Sequence, residues 1–243
     1  MGQAQAFVRD LKKLATRSTE DLAIMQRFFK TGKGEYGEGD VFIGLTVPQI
    51  RLVCKQYNSM ELDDLEKLLE DPVHEVRFGA TIIMASQAAR RATAESRKKA
   101  LYDLYLRRTD RINNWDIVDA SCRDVVGGYL FNRSRAPLYK LARSQNLWER
   151  RIAIVSTWYF IREGDLADTF AIAQLLLGDT QDLIHKASGW MLREAGKKDR
   201  NKLITFLDKH AKIMPRTMLR YAIEHLTAEQ KAHYLGVRKL KKP

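Results

Sequence analysis

His74-Glu75-Val76-Arg77-Phe78-Gly79-Ala80-Thr81-Ile82-Ile83-Met84 opens polar and basic, places a small residue next, and runs on apolar. The same order returns in WERRIAIVSTW (148–158) and LIHKASGWMLRE (183–194), and WDIVDASCRDVV (115–126) is a looser relative. Apolar positions in these segments recur mostly at i, i+3 and i+4, the period of a helix with a buried stripe, rather than alternating as in a strand. Helical segments that return roughly every 35–38 residues suit a two-helix repeat of the HEAT or armadillo kind. The chain is therefore expected to be all-α, a helical-repeat solenoid, an architecture that curves and offers an extended concave face.

Working outward from this stretch, helix signals cover nearly the whole chain. Ser18 opens a helix with Glu20 and Asp21 in its first turn, where acids complement the helix dipole. Thr46-Val47-Pro48-Gln49 reads as a capping box with proline in the first turn. Asp71-Pro72 predicts a second start, with aspartate as the N-cap and proline at the first helical position. Further helices are expected at 94–108, 113–129, 134–144, 147–162, 165–177, 181–196, 198–211, 215–226 and 228–235. The glycine-rich run GKGEYGEGDVFIGL (32–45) is the longest irregular segment, and it lacks the GxxxxGK[ST] pattern of a phosphate-binding loop. Residues 1–236 read as one helical-repeat domain and 237–243 as a flexible basic tail.

Composition bounds the function. With 42 Lys and Arg against 30 Asp and Glu, the net charge is +12, which attracts polyanions, nucleic acid first. Cys54 and Cys122 are the only cysteines, far apart and without a CxxC, as fits two buried thiols in a reducing cytoplasm. No apolar run approaches the ~18 residues of a membrane span. The histidines are dispersed without HExxH or a ligand-like spacing, so neither metal nor cofactor is expected.

Against this background Asn113-Asn114-Trp115-Asp116-Ile117-Val118-Asp119 stands out. On a helix, Trp115 and Asp119 lie at i and i+4 and share one face. A single helical tryptophan is usually core, and Asp119 has a plain alternative as a surface acid facing Arg123 at i+4. Trp158, inside an apolar helix, reads as core. Trp115, Trp148 and Trp190, however, each sit beside charged residues within the repeated segments. Registered repeats would bring Trp115, Asp119, Arg151 and Trp190 to one side, as needed to hold a cationic sugar beside a phosphate.

WDIVD, WERR-IA-V and KASGWMLRE together resemble the AlkD-like DNA alkylation-repair glycosylases, over most of the chain from about residue 27 to about residue 225. The resemblance implies a HEAT-like solenoid with a concave basic cleft for duplex DNA. It also implies hydrolytic release of N3- and N7-alkylated purines as free bases. Asp119 matches the family's catalytic aspartate, Trp115 and Trp190 its sugar-contacting tryptophans, and Arg151 its backbone-contacting arginine. Phe28 follows Arg27 where the family pattern often shows tyrosine; a ring face is kept and a hydroxyl lost. Trp148, Lys186 and Arg150 complete the expected DNA contacts, drawn from a wider set of Lys30, Lys33, Arg77, Arg108, Arg111, Lys197 and Lys198. His185, where a repeat turns, could meet phosphate or solvent.

The chemistry fits on its own terms. A purine alkylated at N3 or N7 is already cationic and leaves neutral, so no general acid is needed. One carboxylate can then serve where most glycoside hydrolases use two. Duplex DNA carrying alkylated purines is the expected partner, with no membrane and no obligate protein partner, and one such chain would work as a monomer. The rivals are a non-catalytic DNA-binding scaffold, which gains nothing from an acid facing DNA, and a protein–protein adaptor, which does not need a +12 surface.

Overall fold

The computed structural model describes residues 2–15 and 18–236, so the expected basic tail at 237–243 lies outside the described residues. The chain is all-helical. Among the described residues, the one β-type pairing is an isolated bridge between Val41 and Val73. In order, the helices are α1 (Gln3–Lys13), α2 (Thr19–Phe28), α3 (Val47–Gln56), α4 (Leu62–Leu69), α5 (His74–Ala89), α6 (Glu95–Arg107), α7 (Trp115–Cys122), α8 (Gly128–Leu130), α9 (Ala136–Leu141), α10 (Leu147–Arg162), α11 (Ala167–Leu175), α12 (Asp182–Lys198), α13 (Arg200–His210), α14 (Arg216–Ala222) and α15 (Ala228–Gly236). They divide into two compact units, one reaching to Tyr129 and one beginning at Leu130.

In the first unit α5 is the central element, packed by α3, α4, α6 and α7. It is buried nearly all round, and Gly79 lets Phe7 of α1 approach so closely that a Cβ there would stand 2.5 Å from the ring. The capping box before α3 is present, with the Thr46 backbone N–H and hydroxyl both donating to Gln49 Oε1 (2.9 and 2.7 Å). In the second unit α12 holds the centre, against α10 on one side and α14 on the other. There Gly189 does the same work, since a Cβ would meet the Met218 carbonyl at 2.5 Å.

Some expectations change. α4 went unread in the sequence: its acidic opening resembles a loop, yet Leu65, Leu68 and Leu69 bury one face. The fifth helix starts at His74 rather than Pro72. Asp71 caps a tight turn instead, its Oδ1 accepting from Val73 N–H at 2.8 Å. The helix expected over 113–129 is regular only to Cys122, after which Arg123–Gly127 widen into a π-turn.

The turn before α5 is repeated. Asp71, Ser144 and Asp179 each accept, through the side chain, the backbone N–H two residues on (2.8, 3.0 and 2.8 Å). In each case a basic residue six positions later returns to the same residue's carbonyl: Arg77 at 3.0 Å, Arg150 at 2.9 Å and His185 at 2.6 Å. The three quoted segments therefore share a built latch as well as an apolar pattern, and their basic openings serve it.

Candidate active site

α7 carries the central residues of the site. Its N-cap is Asn114, whose side-chain oxygen accepts from Trp115 N–H at 2.8 Å and whose amide donates to Asp40 Oδ2 at 3.1 Å. Asp40 comes from the glycine-rich loop, and that loop is fixed rather than loose. Glu75, 1% exposed, accepts the backbone N–H groups of Ile43, Gly44 and Leu45 at 2.8–3.2 Å. Gly44 turns there with φ +84°, a conformation that favours glycine. His74 N–H donates to Val41 O at 2.8 Å.

Beneath Trp115 lies a buried charged cluster. His74, 2% exposed, faces Asp116 through Nε2 (2.8 Å) and Asp40 through Nδ1 (3.2 Å). Asp40 also pairs with Arg77, whose Nη1 donates to the carbonyls of Asp71 and Pro72 while its buried Nε has no hydrogen-bond partner. Burial opposes charge on the imidazole most strongly, yet Asp116 and Asp40 outweigh it and raise its pKa from 6.5 to about 9. His74 is therefore a cation at neutral pH. Asp116, in the first turn of α7, is a partner in this cluster.

An aromatic cluster packs on the same histidine, with Phe29 itself 4.9 Å from the imidazole. Phe42 lies on the His74 ring (centroids 4.6 Å apart, planes at 25°), Phe29 on Phe42 (4.9 Å, 25°), and Trp115 on Phe29 (5.5 Å, 13°). Phe28, 62% exposed, stands edge-on to Trp115 at 5.6 Å. Trp115 and Asp119 are both half-buried, one turn apart on α7. The π-turn follows directly, and such widened turns are frequent at functional sites. The unit thus joins an aromatic platform, part of it exposed, to a nearby carboxylate.

The second unit holds the remaining predicted residues. Trp190 on α12 is half-buried with Trp158 edge-on to it at 5.1 Å, so Trp158 is a neighbour of this indole rather than plain core. Trp148 is 7% exposed and Arg151 5%, with Arg151 Nη1 donating to Leu183 O at 2.6 Å. Arg150 is held by Asp179 (2.6 Å) and by the Ser144 and Gln145 carbonyls (both 2.9 Å). Lys186 pairs with Asp182 at 2.8 Å.

Several cations in the wider set are already engaged within the fold. Arg77 is buried, Arg108 is ringed by Glu66, Glu70 and Asp110, and Arg111 donates to the carbonyls of Leu69, Glu70 and Asp71. Lys197 and Lys198 line a cavity of about 380 Å³ with Arg193, Arg200 and His225. Sequence reasoning missed Asp40, His74, Phe29 and Phe42, whose roles depend on contacts between distant parts of the chain. The adjacent Phe28-Phe29 pair was the one visible sign of the stack.

The geometry is that of an all-helical protein with a carboxylate beside a partly exposed aromatic platform, and comparison places it in a family. The chain belongs to the DNA alkylation repair enzyme family, whose model matches residues 9–226. No curated protein matches the sequence. Among solved structures, the fold is similar to a predicted DNA alkylation repair enzyme from Enterococcus faecalis. The TM-score is 0.66 at 16% identity, covering 88% of this chain and 98% of that one.

Proposed function

We propose that this protein is a monofunctional DNA glycosylase that hydrolyses the N-glycosidic bond of cationic N3- and N7-alkylated purines in duplex DNA. The observation that carries the reading is the placement of Asp119 one helical turn from Trp115, on a platform whose outer ring, Phe28, is open to solvent. A site for a simple anion would not present a carboxylate there. Membership of a DNA alkylation repair family supports the substrate class.

In this mechanism the bond from C1′ to the purine nitrogen breaks with its electron pair going to the base, which leaves uncharged. The sugar develops oxocarbenium character. Asp119 stabilises that charge and orients the water whose oxygen bonds to C1′, and the water proton passes to the carboxylate or to solvent. Stabilisation of this kind is worth about 3–4 kcal/mol per group in comparable sites. Trp115 would lie against the deoxyribose, where an indole face attracts growing positive charge, and a sugar-contacting role for Trp190 is what the family resemblance implies. Phe28, Trp148, Arg151 and Lys186 are assigned to DNA contact, whereas Arg150, held by Asp179 and two carbonyls, is assigned to the fold. Phosphate contacts position without reading sequence, so binding should be salt-sensitive and weakly specific. HEAT-like repeat order and a basic DNA-binding face belong to the same proposal. No lysine is assigned as nucleophile, so water does that work and no Schiff base forms.

The test is release of free base from duplex DNA containing N7-methylguanine, for wild type and Asp119→Asn. Wild type should release the base, and Asp119→Asn should be slowed at least tenfold while binding DNA as before. DNA binding without release of N7-methylguanine or N3-methyladenine would replace this reading with that of a non-catalytic DNA-binding scaffold.

A further inference from the structure

The cluster beneath Trp115 touches no reacting atom in the mechanism above, yet it is costly. Charges taken out of water are expensive, and a well-packed apolar group of similar volume often serves stability as well. The arrangement of His74 is specific. Both ring nitrogens face carboxylates, Asp116 on α7 and Asp40 on the glycine-rich loop. Only the doubly protonated ring donates at both nitrogens; either neutral tautomer would turn a lone pair toward a carboxylate. Phe42 stacks on the ring, Phe29 packs against both Phe42 and the ring at a tilt, and Phe29 carries Trp115. Arg77 and Asn114 reach His74 only through Asp40, and Glu75 is engaged with the loop amides. His74 thus meets the start of α7 by two routes, through Asp116 to the backbone and through Phe29 to the indole.

We propose that His74, held as a cation between Asp40 and Asp116, is a positioning residue that sets the orientation of Trp115 and of the helix carrying Asp119. The proposal rests on the glycosylase reading. It assigns the loop a purpose: Asp40 and Phe42 form the far wall of the histidine's site. Loss of one ring proton would turn a lone pair toward either Asp40 or Asp116 and remove the charge that both carboxylates share, loosening the first turn of α7.

Single-turnover base release from N7-methylguanine duplex DNA, at saturating enzyme between pH 6 and 9.5 with enzyme-free blanks, tests this. His74→Gln should slow release at least tenfold at pH 7 while its affinity for unmodified duplex stays within about twofold of wild type. A purely stabilising residue would not produce that split in a folded variant. Wild type should lose activity on an alkaline limb as the imidazolium deprotonates. Asp116→Asn, which keeps an acceptor for the ring but not the charge, should move that limb to lower pH. This milder variant carries the test if His74→Gln does not fold. Release by both variants with the wild-type rate and pH profile would overturn the positioning role alone. No release by wild type would overturn the glycosylase reading, and this proposal with it.

Discussion

Replacing Glu75 tests the tie between the glycine-rich loop and the central helix. The side chain is buried and receives Ile43 N–H at 3.1 and 3.2 Å, Gly44 N–H at 2.8 Å and Leu45 N–H at 3.2 Å. In Glu75→Ala the Gly44 and Leu45 donors are left inside the protein, whereas Ile43 is half-buried and reaches water more easily. A buried donor without a partner costs about 1–3 kcal/mol. Two such donors, with some relief from water entering the vacated space, give a loss of about 3–5 kcal/mol. For a chain of this size that lowers Tm by about 6–20 °C. Glu75→Gln keeps an oxygen acceptor and loses charge assistance, so its loss should be about 1–2 kcal/mol. Urea unfolding gives both numbers, and amide exchange at Gly44 and Leu45 localises the effect. A Glu75→Ala Tm within 1 °C of wild type would refute the reasoning. So would equal losses for the alanine and glutamine variants.

Other perturbations follow from the same geometry. The folded-state pKa of His74, about 9 against an ordinary 6.5, means its stabilisation is complete below about pH 6.5 and lost as pH rises through 9. About 3 kcal/mol should disappear over that window in wild-type urea titrations and be absent from the pH dependence of His74→Gln. Gly189→Ala should destabilise by about 2 kcal/mol despite the better helix propensity of alanine, because its Cβ meets the Met218 carbonyl and Tyr221 Cβ, both at 2.5 Å. Thermal melts check this, and an unchanged Tm would show that α14 can move aside. Arg150→Ala should lower Tm by several degrees, since Asp179 and two carbonyls lose their donor. Lys186→Ala should leave Tm nearly unchanged and reduce the salt slope of DNA binding by about one. The opposite assignment of the two effects would show that Arg150 faces phosphate.

The helical nature of the chain was legible because helix periodicity and cap chemistry are local. Ser18 and the Thr46 capping box act within one turn, and both are present as read. α4 escaped because two turns with an acidic start carry too little periodicity to stand apart from a loop. At the site, Trp115 and Asp119 could be paired from spacing alone, since α7 sets them one turn apart. The support under Trp115 could not. His74 meets Asp40 34 residues away and Asp116 42 residues away, and no local pattern encodes contacts of that range.

Charge was the most misleading local signal. The basic residues opening each repeated segment looked like a ready surface for phosphate. Arg77, Arg150 and His185 instead return to the carbonyl six residues earlier, closing the turn that starts the next helix. Such a guanidinium or imidazole has already spent donors that a phosphate would need, and a helix whose first turn depends on it would lose that turn by giving them up. The recurring turn and the basic openings are thus one feature read twice. The spacing that reveals the turn also removes these cations from the pool available to a phosphate. On the proposed DNA-binding reading, phosphate binding then falls to cations outside the latches such as Lys186, whose pairing with the exposed Asp182 one turn away is of a kind worth little in water.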